Sequence, residues 1–239
     1  MGLARGKKSI FKKMLTALAV TTLSVGSAQA LTIDNFTTNQ LVVDGSGGGA
    51  TSSTVSDVVN ILGTDRTISV EQLGPGATPS SVSINVGTSG LLTLGNTDAF
   101  SVSNISYNGI GGGGLGGVDV TEDGSLNAFS LLVVAGDFST NIALTVSDGV
   151  NTSSLVIPTP GLASFVPLFF AYASFAGGPV DFTSIDYINI ALVTTNTQAD
   201  LQLALIDFIG TTEVPEPATL GILGLGLLGL GLARRKRAA

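Results

Sequence analysis

The sequence of 239 residues contains no cysteine, no histidine and no tryptophan. Without Cys and His the chain cannot form disulfide bonds, zinc sites built from thiolate or imidazole, or nucleophiles activated by a Ser-His or Cys-His pair. Carboxylates are therefore the strong catalytic groups that remain. Charged residues make up 11% of the chain and hydrophobic residues 44%, a composition that permits one sizeable packed core.

Positive charge is almost absent from the middle of the chain. Nine of the ten basic residues lie in the first 13 or the last six positions, and the tenth is Arg66. All seventeen acidic residues lie between Asp34 and Glu216, so residues 31–217 have a formal charge of −16, from seventeen acids and one base. Nucleic acid and anionic lipid bind through clustered Lys and Arg, so neither is expected as a partner of this segment. The charge is compatible with cation binding, or with solubility alone.

The N-terminus has the composition of a secretory signal peptide. Five basic residues precede an uncharged apolar run at 14–25, which is too short to span a bilayer as a stable helix. Ala28 and Ala30 supply the small side chains that signal peptidase accepts, so cleavage after Ala30 is predicted. Residues 1–30 are therefore interpreted as a signal peptide helix that directs export across the inner membrane.

The C-terminus, residues 213–239, combines a short motif, an apolar helix and a basic tail. The motif spans 214–217 and contains Pro215, Glu216 and Pro217. The uncharged run at 218–233 would form a helix of roughly 24 Å, somewhat shorter than the ~30 Å hydrocarbon core of a bilayer. The tail, 234–239, holds a basic cluster that fixes this end in the cytoplasm and the preceding domain on the other side. The cluster consists of Arg234, Arg235, Lys236 and Arg237.

This ordered combination of Val-Pro-Glu-Pro, a Gly/Leu-rich helix and a terminal Arg-rich cluster resembles the PEP-CTERM sorting signal of Gram-negative bacteria. The family's defining triplet maps onto Pro215, Glu216 and Pro217. The resemblance implies recognition by an exosortase-type processing enzyme at the inner membrane, and delivery to the cell envelope, the cell surface or the exopolysaccharide matrix. It covers about 25 residues and leaves the rest of the chain unassigned.

Residues 31–212 have the pattern of an all-β domain. Apolar and polar residues alternate at 81–87 and 140–147, whereas 128–135, 185–193 and 201–209 are apolar on both faces, as central strands are. In the run at 100–108 the alternation changes parity, which predicts a β-bulge near Asn104. Turn sequences rich in Gly, Asn and Asp separate these runs. The pattern predicts an antiparallel β-sandwich, specifically a jelly roll.

The second half of this domain resembles galactose-binding-like jelly rolls, which are similar to carbohydrate-binding modules. The residues that carry the resemblance are the turn at 119–124, the aromatic stretch at 165–175, and 181–185 before two closing strands. In modules of that type a structural calcium ion often joins an early strand to the last one. The resemblance therefore makes Asp34 and Asp207 candidate calcium ligands, and no other cofactor is expected.

The remaining chemistry is open to more than one interpretation. Five carboxylates lie in turns: Asp119, Glu122, Asp123, Asp181 and Asp186. They are compatible with turn formation, with calcium ligation or with catalysis, and catalysis would need two of them across a cleft. The Gly-rich segment 109–117 lacks the Lys of a phosphate-binding loop and predicts a floppy connection between sheets. Phe165, Phe169, Phe170 and Phe175 are expected mainly in the core rather than as sugar-binding platforms.

Three functions remain as hypotheses for the exported domain. The first is a non-enzymatic structural or adhesive module of the envelope or exopolysaccharide matrix. The second is a lectin-like carbohydrate-binding module that uses calcium. The third is a carbohydrate-active enzyme with paired carboxylates, which requires two acids facing each other across an open cleft.

We predict that the mature protein begins at Leu31, because Ala28 and Ala30 place small residues before that position. N-terminal sequencing of the protein recovered from the cell envelope measures this directly. A mature chain that still begins with residues 1–13 would contradict the signal-peptide interpretation.

Overall fold

The computed structural model describes residues 31–45, 49–73, 81–87 and 89–210. The predicted signal peptide, sorting motif, membrane helix and basic tail lie outside these residues. Across the described ranges, no helical segment has the length and hydropathy that a bilayer crossing needs.

The described residues form fourteen β-strands and two short 3₁₀ helices, at Ile110–Gly112 and Tyr172–Ser174. The strands are, in chain order, β1 (Thr32–Asp34), β2 (Gln40–Gly45), β3 (Thr51–Ser56), β4 (Asp65–Leu73), β5 (Ser81–Val86), β6 (Leu91–Thr97), β7 (Phe100–Tyr107), β8 (Ala128–Gly136), β9 (Thr140–Ser147), β10 (Thr152–Pro158), β11 (Ala163–Ala171), β12 (Ala176–Gly177), β13 (Tyr187–Thr194) and β14 (Leu201–Ile209).

These strands form two seven-stranded antiparallel sheets. Sheet A has the order β11-β8-β14-β6-β5-β2, with β1 also paired to β14, and sheet B has the order β12-β10-β9-β13-β7-β4-β3. The chain passes repeatedly from one sheet to the other, which gives a jelly-roll sandwich with the core between the sheets. The predicted fold class is thereby confirmed for the described residues.

Alternation along each strand places one face in the core and the other in solvent. The alternating runs at 81–87 and 140–147 form β5 and β9, each with buried residues at every second position. The three runs that are apolar on both faces contribute β8, β13 and β14, and each of these strands has a partner on both sides. Both predictions are confirmed.

The predicted β-bulge near Asn104 is wrong. Strand β7 runs in unbroken register with β4 and β13, so its parity does not change. Ser101 and Ser103 point into the core, while Phe100 is 44% exposed on the outer face. The core accommodates Ser101 because its hydroxyl donates a hydrogen bond to Asn96 Oδ1 at 3.2 Å. An inward serine and an outward phenylalanine therefore produced the misleading pattern.

Arg66, the one basic side chain of the described residues, lies in the core with no exposed surface. Its guanidinium donates hydrogen bonds to Asp34 Oδ2 at 2.7 Å, to Gln40 Oε1 at 2.8 Å and to the Thr38 carbonyl at 2.6 Å. Arg66 belongs to β4 of sheet B, whereas its partners belong to β1, β2 and the turn between them. The side chain therefore connects the two sheets through the core.

The Asp34 carboxylate, also without exposed surface, has two further hydrogen bonds. It accepts one from the Phe36 amide at 2.7 Å and one from the Tyr107 hydroxyl of β7 at 3.0 Å. Burial raises the pKa of the Asp34 carboxyl, while the Arg66 guanidinium opposes that rise. The carboxylate is thus fully used in holding the first strands of the domain against sheet B.

We expect Arg66→Met to lower the free energy of unfolding by about 3–5 kcal/mol, because it leaves Asp34 as an unpaired buried charge. The double variant Arg66→Met with Asp34→Leu should be less destabilised than Arg66→Met alone, since no buried charge remains. Urea unfolding of the full-length protein, followed by circular dichroism, measures both variants. A single variant as stable as the wild type would show that the ion pair does not stabilise the core.

Candidate functional site

An open cleft lies on the outer face of sheet A. Its floor is a row of in-register residues on four neighbouring strands: Ser164 of β11, Ala135 of β8, Gln202 of β14 and Thr93 of β6. Paired positions of adjacent strands share a face, so these side chains lie next to one another. The cleft has a volume of about 520 Å³. This sheet A cleft is lined by Thr93, Leu94, Gly95, Ala135, Gly136, Asp137, Leu162, Ser164, Asp200, Leu201 and Gln202.

Two carboxylates stand at one end of the sheet A cleft. Asp137 follows β8 and Asp200 precedes β14, so the pairing of these strands brings them together. Asp137 Oδ1 accepts a hydrogen bond from the Asp200 amide at 2.7 Å, and Asp200 Oδ1 accepts one from the Asn96 amide at 3.1 Å. The Oδ2 atom of each has no hydrogen bond within the described residues, and is available to a ligand. Sequence analysis missed both residues because 63 positions separate them.

The rest of the sheet A cleft combines polar side chains without partners and exposed apolar ones. Thr93, Ser164 and Gln202 make no side-chain hydrogen bond within the described residues. Leu162 is 84% exposed at the rim, and Phe165 is 71% exposed in the neighbouring part of β11. Both have positive φ, a conformation uncommon for bulky residues that often marks functional sites.

The predicted calcium candidates, Asp34 and Asp207, have different surroundings. Asp34 is neutralised in the core by Arg66, which occupies the position a cation would take. Asp207 of β14 lies opposite Thr32 of β1. Its carboxylate accepts a hydrogen bond from the Phe208 amide at 2.8 Å, and partial burial raises the pKa of the carboxyl. Within the described ranges, no three or more acidic side chains form a group that could hold a metal ion. Calcium binding by this pair stays a prediction that the geometry does not favour.

The carboxylates of the turn at 119–124 hold the backbone of that turn. Asp119 accepts hydrogen bonds from the amide and the hydroxyl of Thr121, at 2.8 and 2.7 Å, and these lower the pKa of its carboxyl. Glu122, Asp123 and Gly124 supply the three positive φ values of this turn. Their arrangement matches the turn-forming interpretation.

The other turn carboxylates also bind backbone amides. Asp181 accepts a hydrogen bond from the Thr183 amide at 2.9 Å, and Asp186 accepts one from the Gly116 amide at 2.9 Å. The second contact holds the Gly-rich segment 109–117 against the loop before β13. This segment does connect the two sheets, as predicted, but it is folded and hydrogen-bonded rather than floppy.

The four phenylalanines of the aromatic stretch divide into two groups. Phe170 is buried and Phe175 packs against the core, where its ring lies 5.9 Å from that of Phe129. Phe165 and Phe169 are instead 71% and 53% exposed on the edge strand of sheet A. The expectation of core positions is therefore wrong for these two, because an edge strand leaves its outer side chains uncovered.

Comparison with known families assigns the C-terminal segment. Residues 213–237 match the model of the PEP-CTERM protein-sorting motif. The chain carries a PEP-CTERM motif. Its recognition from the sequence is confirmed, and Pro215, Glu216 and Pro217 lie inside the matched range. The PEP-CTERM motif indicates an exported protein that is targeted to the cell envelope and processed by an exosortase-type enzyme.

Solved structures similar to the domain are distant in sequence. The family 11 carbohydrate-binding module of a cellulosomal cellulase of Clostridium thermocellum has 14% identity and a TM-score of 0.39, over 78% of this chain and 98% of that chain. A family 29 carbohydrate-binding module has 11% identity and a TM-score of 0.36, over 72% and 99%. An exo-β-agarase has 13% identity and a TM-score of 0.39, over 63% of this chain and 23% of its own. No curated protein matches the sequence.

Proposed function

We propose that this protein is a non-catalytic component of the cell envelope or exopolysaccharide matrix, and that its sheet A cleft binds an uncharged polysaccharide. One observation carries the proposal: the cleft collects free carboxylate oxygens, unpartnered hydroxyl and amide side chains, and the exposed apolar side chain of Leu162 in one open trough. Residues 218–233 hold the protein at the inner membrane until an exosortase-type enzyme processes it.

The groups in the sheet A cleft match the surface of a sugar. Each sugar hydroxyl is both a donor and an acceptor of hydrogen bonds. Asp137 and Asp200 offer acceptors, and such bonds to a charged group are stronger than neutral ones. Thr93 and Gln202 can donate as well as accept. Leu162, at the rim of the cleft, offers apolar surface to the C–H faces of the ring. The openness of the trough allows a polymer to enter along its length.

The electrostatics of the domain favour an uncharged polymer. Arg66, the one base among the described residues, is buried, so the described surface exposes carboxylates without any compensating cation. A glycan that carries uronate or sulfate groups would be repelled by this field, particularly at low salt, where the Debye length is long. A neutral glycan avoids that repulsion.

The non-catalytic part of the proposal rests on the state of the cleft carboxylates. Glycoside hydrolysis needs one carboxyl group as a proton donor with a raised pKa and a second that is free to act as nucleophile or base. Asp137 and Asp200 lie together at one end of the cleft rather than across it, and each holds a backbone amide, which favours a binding and structural role.

We expect the full-length protein in detergent to be retarded in native gels that contain a soluble neutral glucan, mannan, galactan or xylan. The carboxymethylated form of the same polymer should not retard it. Gln202→Ala should weaken binding about fivefold to tenfold, since it removes one hydrogen bond worth about 1–1.5 kcal/mol.

Glu71→Gln serves as the matched control, because Glu71 belongs to sheet B and does not line the cleft. It should bind like the wild type. Equal retardation of the wild type and Gln202→Ala, or retardation only by the carboxymethylated polymer, would refute the proposed site.

A further inference from the structure

A row of polar, uncharged side chains crosses the outer face of sheet B. It follows the pairing register through six neighbouring strands, from β3 to β10. This polar row consists of Thr54, Thr67, Ser106, Asn189, Thr145 and Ser154. Neighbouring strands are about 4.8 Å apart, so the row is roughly 24 Å long. One step of the row is comparable with the length of one pyranose ring.

The first three members of the polar row, on β3, β4 and β7, line a pocket of about 460 Å³. Tyr187 lines it as well, with its hydroxyl 3.5 Å from the Ser106 hydroxyl. Asp65, Asn108 and the start of the Gly-rich segment complete the lining. We call this the loop pocket. It belongs to sheet B, and it shares no residue with the sheet A cleft.

The Gly-rich segment is shaped to form one side of the loop pocket. At Gly109, with φ of 62°, a Cβ atom would lie 1.8 Å from the Gly114 carbonyl oxygen, so only glycine fits. Gly111, also at φ of 62°, donates its amide to Asp65 Oδ2 at 2.9 Å. The segment therefore folds tightly over Asp65.

Asp65 is a largely buried carboxylate at the edge of the loop pocket. It is 9% exposed, and its Oδ1 atom has no partner of hydrogen-bond geometry within the described residues. The Gly111 amide and the Ser56 hydroxyl lower the pKa of its carboxyl. Asp65 therefore holds the Gly-rich side of the loop pocket in place through the Gly111 amide, and the groups that face a ligand are the other lining residues.

We propose that the loop pocket is a second binding site, for a pyranose unit of a neutral glycan. The Tyr187 ring contacts a face of the sugar, and Asn108 and the polar row form hydrogen bonds with its hydroxyls. Thr145 and Ser154, which make no side-chain hydrogen bond within the described residues, extend these contacts along the glycan. A single carboxylate among neutral groups fits a sugar better than a basic peptide.

The absence of tryptophan provides a direct reporter for this site. The chain has three tyrosines: Tyr107 is buried, Tyr172 is stacked on Phe182 with ring centroids 4.3 Å apart, and Tyr187 lines the loop pocket. A change in tyrosine emission on adding a ligand that leaves the fold intact therefore reports contact at Tyr187.

The test uses the full-length protein in detergent, titrated with hexasaccharides of glucose, mannose, galactose and xylose, and with hexalysine. At least one neutral hexasaccharide should change the tyrosine emission of the wild type and of Gln202→Ala. In the Gln202→Ala background, calorimetry should find the remaining binding weakened at least tenfold by Tyr187→Ala and kept by Tyr187→Phe, which preserves the ring. Phe100→Ala removes an exposed ring of the same sheet and should bind like the wild type.

Unchanged affinity when Tyr187→Ala is added to Gln202→Ala, or no emission change with any hexasaccharide, would overturn the proposal. Binding of hexalysine that depends on Tyr187, without sugar binding, would overturn it in favour of a basic partner. Loss of binding in Gln202→Ala alone would leave the sheet A cleft as the sugar site and also refute the loop pocket. Melting temperatures confirm that each variant is folded.

Discussion

The contact between Arg66 and Asp34 in the core is the constraint on which the rest of the structure depends. It joins β4 of sheet B to β1 of sheet A, and the Gln40 and Tyr107 contacts extend it to one further strand of each sheet. Burying an ion pair is favourable only when the remaining hydrogen-bonding groups are satisfied, and this network provides partners on both sides. The same contact removes the one cation of the described residues from the surface.

That removal determines which ligands the surface can hold. With Arg66 buried, the described surface has no cation that would attract an anionic polymer. The groups that this surface offers to a ligand are hydroxyl groups, amides, carboxylate acceptors and exposed apolar side chains. The sheet A cleft and the loop pocket both offer this mixture, on different sheets of the sandwich. The two proposed binding sites together imply a protein that links two neutral polysaccharide chains.

The sequence predicted those features that are encoded locally. Alternation at 140–147 identifies β9 with its observed bounds, and the sorting motif is a contiguous segment. Features that depend on pairing between distant strands were not accessible. The parity of β7 departs from the sequence pattern because the Ser101 hydroxyl is hydrogen-bonded in the core. The contact of Asp34 with Arg66 spans 32 positions, so the sequence does not reveal it, and only the family resemblance made Asp34 a calcium candidate. The acids of the cleft meet only once β8 and β14 pair.

The most direct test of the central claim is a map of backbone amide chemical shifts in the full-length protein in detergent as a neutral oligosaccharide is added. The account predicts shifts at Thr93 and Gln202 on sheet A and at Ser106 and Tyr187 on sheet B, while Arg66 in the core stays unchanged. Shifts confined to other surfaces, or no shifts with any neutral oligosaccharide, would contradict it.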